Sequence, residues 1–517
     1  MVGEGLAVGA FAGLAIAVYR LLLSSAERLL RGLIDWFGTH PVGWFGWAVA
    51  LVLLASAVAR LMQLVPDTRG SGIPQVDAEV MGRIDEPWYK VMVAKIAEGA
   101  ICTLAGLSLG REGPSVQIGG MAGKGISRLL HKEQGEEHLL VTCGAAAGMS
   151  SAFHAPLAGV LFALEEIHRE FNAPLVISAM AAAATGDFVT SQLLGVEPVL
   201  HFDMVADLPH ADYLFVLLMG VICGVTGAAH NLGMFALQGK VFARLRTRWG
   251  DAVLLVAFLG AGIAAFVAPQ LLCGGDAILA YLEGPGRLTA GALVTLLLGK
   301  YLLTSVCFGS GAPGGTLLPL VIMGSLLGAL CGLGAVGATD MPLAYLNNFI
   351  ILGVAGLFAA SVRAPVTAVV LCFELTGTLD ALLSVTAVSL VAYVTANMLK
   401  VEPFYECLLS NLLEALPDKD GRRGVEVVGA KVMHTHVVGV GSLAEGRSVQ
   451  NIPWPPNTLV VTIRRAGNDI IPRGTTRLQA LDKLLVIMDA DLEADTELLM
   501  TGICRGMTTP DPSDVQE

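Results

Sequence analysis

Residues 147–166 read AGMSSAFHAPLAGVLFALEE, and residues 355–374 read AGLFAASVRAPVTAVVLCFE. Aligning Pro156 with Pro365 places Ala155 on Ala364 and Glu165 on Glu374, each acid nine residues past its proline. Upstream of the prolines the match needs a one-residue gap. Each stretch is apolar and rich in small residues, and a proline interrupts it, so each predicts a helix that stops and restarts instead of one straight span. Two related halves with broken helices form the sequence pattern of secondary transporters, whose solute binds near the bilayer midplane where the repeats meet. Irregular backbone at that depth is tolerated only where it is buried in protein or lines a polar cavity. The breaks therefore point to a pathway.

The rest of the chain fits a membrane setting. Its 517 residues are 54% hydrophobic and 15% charged, with mean hydropathy +0.67, whereas soluble domains run at about a quarter charged. Charge concentrates late: 26 charged side chains lie in the 104 residues from 414 onward, against 50 in the 413 before them. The reading is an all-α polytopic membrane domain over 1–412, with repeat halves near 1–236 and 251–412, and a small soluble α+β domain over 430–500. A linker at 413–429 separates them and a tail at 501–517 follows. Apolar windows recur near 5–19, 43–65, 91–109, 139–164, 174–194, 211–236, 251–272, 288–308, 317–338, 346–377 and 381–398. Several fall short of the roughly 20 residues a spanning helix needs. The 61 glycines allow close helix packing as well as mid-membrane breaks. A net charge of −12 leaves no basic face for nucleic acid.

The nine cysteines do not read as a disulfide framework. Cys102, Cys143, Cys223, Cys273, Cys307, Cys331 and Cys372 sit singly in apolar or Gly-rich runs, as packing residues do. No cationic segment precedes the first apolar run and no A-x-A site follows it, so a cleaved signal peptide is not expected. A basic cluster of Lys240, Arg244, Arg246 and Arg248 suggests a cytoplasmic face.

After Pro417 the pattern becomes short strands: HVVGVG, TLVVTIRR, a turn at Ala466-Gly467-Asn468-Asp469, IIPRG and KLLVIM. GRSVQNI predicts a short helix ended by Pro453, Pro455 and Pro456, and the acidic run DADLEADTE opens a surface helix. Read from its residues alone, this module is either regulatory or a solvated stabilising appendage.

Three segments set Gly and Pro around polar residues inside apolar surroundings: Gly70-Ser71-Gly72-Ile73-Pro74, Gly110-Arg111-Glu112-Gly113-Pro114, and GAPGGTLLP from Gly311 to Pro319. Each predicts a loop entering a helix, where free N–H groups and the positive dipole end favour an anion. Three such ends converging would bind a halide without a lysine charge that would hold it too tightly. Glu112, between Gly110 and Gly113, could occupy that site itself and swing away when protonated. Glu165 and Glu166 end the first repeat's apolar helix and face either water or a cavity. Lys95, in VMVAKIAEGA, fits a lysine that snorkels to the interface, and Tyr405, in EPFYECLL, fits a membrane-belt tyrosine.

In this order and at these separations, GSGIP, GREGP and GAPGGTLLP resemble the three signature segments of the chloride channel (CLC) family. The second repeat's AP…FELTG and the terminal EPFYECLL match as well, so the resemblance covers roughly residues 1–412. It implies the CLC fold, with two inverted repeats and broken helices, and a homodimer with a separate pore in each subunit. By motif position it implies an anion-binding set of Ser71, Gly72, Ile73, Glu112, Gly113, Leu317, Leu318 and Tyr405. Ser71 and Tyr405 would contribute side chains, and Leu317 and Leu318 backbone N–H groups. Glu112 would be the external gating glutamate, which also carries the proton.

An inner proton glutamate falls ten residues past the proline of the HAPLAG segment, and so maps to Glu166 instead of Glu165. Asp77 and Lys95 fall where exchangers of this family carry supporting charges. The pair Glu112 and Glu166 thus resembles proton-coupled exchangers, and implies a voltage-influenced transporter that exchanges chloride for protons across a lipid bilayer. No cofactor or metal is implied. Serine in GSGIP favours chloride over nitrate and disfavours the fluoride branch. One departure is Leu317, where the family usually has phenylalanine.

The tail resembles the TrkA-C (RCK C-terminal) domain of bacterial ion-transport regulators. That implies a prokaryotic inner-membrane protein with a cytoplasmic, dimerising, ligand-sensing module that takes a small molecule such as a cyclic dinucleotide. A passive chloride channel, or an exchanger preferring fluoride or nitrate, is the alternative within transport. An intramembrane hydrolase is disfavoured, because Cys273-Gly274-Gly275-Asp276 is not GxGD, Phe308-Gly309-Ser310-Gly311 is not GxSG, and no HExxH occurs. A sensor with a vestigial membrane part is disfavoured because every pore segment is present.

Overall fold

The structure is a computed structural model that describes residues 1–40, 43–169, 171–195, 202, 207–284, 288–339, 341–416, 431–465, 468–489 and 493–505. The chain divides into two compact units, Met1–Ala415 and Leu416–Glu517. In the first unit the first half holds α1 (Val2–Thr39), α2 (Gly43–Leu64), α3 (Ile73–Val80), α4 (Trp88–Leu104), α5 (Glu112–Leu129), α6 (Gln134–Phe153), α7 (Pro156–Phe162) and α8 (Ala173–Leu194). The second half holds α9 (Tyr213–Ala236), α10 (Ala243–Trp249), α11 (Leu254–Val267), α12 (Asp276–Glu283), α13 (Ala290–Gly309), α14 (Leu317–Ala338), α15 (Leu346–Val362), α16 (Pro365–Thr376), α17 (Leu382–Met398) and α18 (Phe404–Ala415). Among the described residues, seven helical stretches are long and apolar enough to cross a membrane.

The halves pack alike. α1 against α8, α5 against α6 and α6 against α8 are matched by α9 against α17, α14 against α15 and α15 against α17. Glycines set the closest of these contacts. A Cβ on Gly119, Gly123 or Gly144 would collide with backbone across the α5–α6 seam, as would one on Gly324, Gly328 or Gly353 across the α14–α15 seam. The breaks are also matched. α6 ends on His154 (φ 56°) and α15 on Arg363 (φ 74°), both left-handed, and Pro156 and Pro365 then start α7 and α16 at their first turns.

Glu165 and Glu374 explain why each repeat carries an acid nine residues past its proline. The Glu374 carboxylate accepts from the N–H groups of Leu157 (2.9 Å) and Ala158 (2.7 Å) at the start of α7. Glu165 accepts from Val366 N–H (3.4 Å), Thr367 N–H (2.9 Å) and the Thr367 hydroxyl (2.7 Å) at the start of α16. Each half-helix is capped by the other half's carboxylate, which satisfies free donors and complements the dipole.

Several windows expected from hydropathy differ from the helices observed. The window at 5–19 lies within α1, which continues to Thr39, and the 139–164 and 346–377 windows each divide at their proline into two helices. The short helices α3, α10 and α12, together with α5 and α18, fell outside the windows. α5 escapes a hydropathy scan because it is Gly-rich and carries Glu112, Ser115, Gln117, Lys124 and Ser127, yet all of these are buried. Protein, not lipid, surrounds it. None of the nine cysteines forms a disulfide, and seven are buried.

The second unit is a four-stranded antiparallel sheet in the order β1-β4-β2-β3, with β1 Lys431–Val437, β2 Leu459–Arg465, β3 Asn468–Ile470 and β4 Lys483–Asp489. α19 (Glu493–Arg505) contributes Met500, Ile503 and Cys504 to a core with Val460, Ile463, Leu484 and Val486. Three expectations shift. The strand at HVVGVG lies mostly upstream of it, GRSVQNI forms only a 3-10 turn at Val449–Asn451, and the strand placed at IIPRG is Asn468–Ile470. The turn's Ala466 and Gly467, the expected linker from 417 to 429 and the tail after 505 lie outside the described residues.

Candidate anion pathway

The three Gly/Pro segments meet. Gly70 N–H donates to the Gly311 carbonyl (3.3 Å), and Gly314 N–H donates to that of Gly70 (3.0 Å). Gly110 and Gly315 exchange a reciprocal pair of backbone hydrogen bonds at 2.6 and 2.8 Å, an antiparallel bridge between the repeats. These contacts lace together the loops that start α3, α5 and α14, so three helix N-termini open onto one buried region. Gly72 must be glycine to start α3, because it has φ 102° and leaves no room for a Cβ against Gln117.

Glu112 occupies this convergence. It is completely buried, and Oε2 accepts the Leu318 N–H at 3.2 Å. Oε1 has no hydrogen-bond partner among the described residues, and neither does the buried Ser71 hydroxyl. Ser71 lies beside Gly113, where a Cβ would run into the serine hydroxyl and carbonyl. Ile73, Leu317 and Leu318 are buried around the same loops. Tyr405 is also buried, which corrects the membrane-belt reading of its sequence. Its ring stands edge-on to Phe162 at 6.1 Å and to Phe404 at 5.3 Å, and it is near enough to both Glu112 and Glu166 to feel their charge. A cavity of about 340 Å³ is lined by Arg20, Tyr19, Gly110, Arg111, Asp276 and Leu318, among others, the chain neighbours of Glu112 included.

Glu166 sits in a π-helical turn, Ala163–His168, that extends α7. Wide turns of this kind concentrate at functional sites. The turn holds Glu165 on the start of α16, while Glu166 lies 7% exposed within the charge of Arg169, Asp77 and Glu406. Arg169 reaches Asp77 at 3.4 Å and Glu406 at 3.9 Å. Asp77 therefore joins Glu166. Lys95 does not: it is fully buried instead of snorkelling, and its ammonium donates to the carbonyls of Thr68 (2.7 Å) and Gly70 (2.8 Å), just before Ser71. The buried Glu98, held by the Thr68 hydroxyl at 2.9 Å, balances it.

Sequence reasoning missed Lys300, the counterpart of Lys95. Fully buried on α13, it donates to the carbonyls of Leu271 (3.1 Å) and Cys273 (2.8 Å) ahead of Gly275 and α12. A repeat search extended from the prolines to apolar helices with a lone lysine would have found it. One acidic trio, Glu79, Asp85 and Glu137, lies close enough to hold a metal ion, but Lys124 bridges Glu79 and Asp85 while Arg128 bridges Asp85 and Glu137.

Comparisons with known proteins agree with this architecture. The sequence model of the voltage gated chloride channel family matches residues 48–397, and that of the TrkA-C domain matches 433–500. The H(+)/Cl(-) exchange transporter ClcA of Cronobacter sakazakii is 32% identical over 439 residues, covering 78% of this chain and 92% of that protein. ClcA of Salmonella agona is 31% identical over 423 residues, covering 78% and 87%. A solved slow cyanobacterial Cl-/H+ antiporter superposes with a TM-score of 0.75 at 26% identity, covering 81% of this chain and 99% of that one. A CLC-type fluoride/proton antiporter, with a TM-score of 0.62 at 21% identity, shares the fold over 78% and 96%. With its laced loops, paired half-helices and matched sequence, this multi-pass membrane protein belongs to the voltage gated chloride channel family and carries a C-terminal TrkA-C domain.

Proposed function

We propose that the chain exchanges chloride for protons across a membrane. The observation that carries this reading is Glu112, a buried carboxylate resting on the Leu318 N–H where three helix N-termini converge. N–H groups that hold a carboxylate also suit a halide, so side chain and chloride would compete for one place. Protonation removes the charge that holds Glu112 there, which couples proton uptake to anion entry. Ser71, with its unpartnered hydroxyl, would donate to the anion, Tyr405 would contribute its phenol, and Gly72, Ile73, Gly113, Leu317 and Leu318 would line the site with backbone.

In this reading Glu166 takes protons from the opposite side and Asp77 and Arg169 set its surroundings. Lys95 acts on the Ser71 loop by pinning the carbonyls of Thr68 and Gly70 away from the anion. The ClcA relatives and the cyanobacterial antiporter carry Cl-/H+ exchange in their names, which supports exchange over a passive channel. Serine in the first motif supports chloride over nitrate or fluoride. We assign the protein to a prokaryotic inner membrane as a homodimer, with the TrkA-C unit in the cytoplasm, where a small molecule such as a cyclic dinucleotide would tune transport.

The test is proton movement in proteoliposomes driven by a chloride gradient, with voltage clamped by valinomycin and potassium. Uphill proton movement is expected. Chloride flux without it would make the protein a channel, and equal flux of fluoride or nitrate would overturn the assigned anion. Removing residues after about 417 is expected to leave basal exchange intact.

A further inference from the structure

We propose that the groove between α2 and α11 binds the anionic headgroup of a phospholipid; this stands apart from the transport reading. The two helices pack along each other and run in opposite directions. Trp44 at the start of α2 stacks on Phe266 near the end of α11, with ring centroids 4.2 Å apart. At the other end Gln63 donates to Asp251, just ahead of α11, at 3.1 Å. The sixteen helical steps from Trp44 to Arg60 span about 24 Å, most of a hydrocarbon core of about 30 Å. Trp44 and Trp249 therefore mark opposite interfaces, and the groove at Arg60 and Trp249 lies at headgroup depth.

The groove has a volume of about 460 Å³, and its walls include Ala55, Ser56, Ala59, Arg60, Gln63 and Trp249. Alanines keep it open, and exposed Val52, Leu53, Leu259 and Ile263 continue an apolar wall along the same helices where acyl chains would lie. Its rim is cationic: Arg60 stands in the wall, and Arg248 directly precedes the wall's Trp249. Arg244 and Lys240 lie four and eight residues earlier in the same helical stretch, and all four side chains are exposed. Among the described residues, none of these four side chains has a hydrogen-bond or ion-pair partner, in contrast to their neighbours. Arg246 turns inward to the Ser310 carbonyl at 3.0 Å, and Arg69 turns to Asp251 at 2.9 Å. Asp251 is the carboxylate in the groove wall, and its two oxygens are already engaged by Arg69 and Gln63.

Unpartnered guanidinium groups beside an interfacial tryptophan and an apolar trough match a lipid phosphate with a net negative headgroup. A zwitterionic lipid offers the same phosphate, but its ammonium would be repelled by the same rim. A soluble anion would gain nothing from the trough.

The test is native mass spectrometry of the full-length protein in detergent, titrated with phosphatidylglycerol and with phosphatidylcholine of the same acyl chains. Phosphatidylglycerol is expected to bind at lower concentration, and Arg60→Gln and Arg248→Gln are each expected to weaken it about fivefold, leaving phosphatidylcholine unchanged. Equal affinity for the two lipids, or a double variant that binds phosphatidylglycerol like the parent, would overturn the proposal. So would inorganic phosphate that displaces phosphatidylglycerol at comparable concentration, because the site would then select a free anion. The double variant is expected to keep parental chloride flux in phosphatidylcholine vesicles, which shows that it folds. A parent without proton coupling would sink the transport reading and leave the lipid result untouched.

Discussion

Glu165 and Glu374 hold equivalent places in the two halves of the membrane unit, and so do Lys95 and Lys300, Gly72 and Gly275, and Gly110 and Gly315. Each pair does the same work in both halves. The acids cap half-helices, the lysines pin loop carbonyls, and the first glycines start a helix from a left-handed residue. Glu112 and Glu166 break the pattern. Counting from the bridged glycines, the counterpart of Glu112 is Leu317, and counting from the prolines, the counterpart of Glu166 is Leu375. Both leucines are buried. Features shared by the repeats build the scaffold, because a duplicated fold needs each contact twice. Features present once are what the proposed exchange assigns to chemistry, and they are where the two halves differ.

The comparison is most sharply tested by removing what is present once. Glu112→Gln should abolish proton coupling altogether while chloride still moves, read as proton uptake against chloride efflux in the same vesicles. Retained uphill proton transport in this variant would end the assignment of Glu112. Glu166→Leu gives the first repeat the second repeat's residue and should stop proton movement while keeping part of the chloride flux. If it leaves coupling intact, the asymmetry at this position carries no function.

Removing what is present twice should cost stability instead. Glu165→Ala and Glu374→Ala each take a charged acceptor from two helix-start N–H groups, a loss of about 2 kcal/mol. Both should lower the thermal midpoint in detergent by similar amounts. A large drop for one and none for the other would show that the reciprocal caps are not equivalent.

The smallest effect is expected outside the repeats. In the TrkA-C unit, burial works against the charge of Asp482, but a fork from Arg465 (2.7 and 2.8 Å) and the Gln479 N–H (2.8 Å) hold its carboxyl below the usual range. A depressed folded-state value means that the stabilisation is complete above the ordinary carboxylate range and is lost as pH falls through the lowered value. Amide exchange across 431–505 should therefore be faster in Asp482→Asn than in the parent at neutral pH, by about 1 to 2 kcal/mol of protection. The two should converge only in strong acid, once pH has fallen below the ordinary carboxylate value of about 3.9 and through the lowered one. A difference that persists in acid would point to packing instead of the ion pair.

The residues alone determined the two halves, the three loop-to-helix starts, the change of character after Pro417 and the place of Glu112 at one of those starts. Glycine, proline and isolated charge punctuate an apolar sequence so strongly that local physics suffices there. Hydropathy could not reveal α5, whose polar side chains are shielded by neighbouring helices, nor could strand propensity place β3, which pairs with β2 only from Asn468 to Ile470. Lys95 read as a snorkelling residue, and its burial follows from carbonyls that a distant loop brings to it. The repeat alignment and the motif spacing told Glu165 from Glu166, but only the tertiary structure shows what each touches: the N–H groups that claim Glu165 belong to α16, two hundred residues away, and a π-helical turn then sets Glu166 within the charge of Asp77 and Arg169.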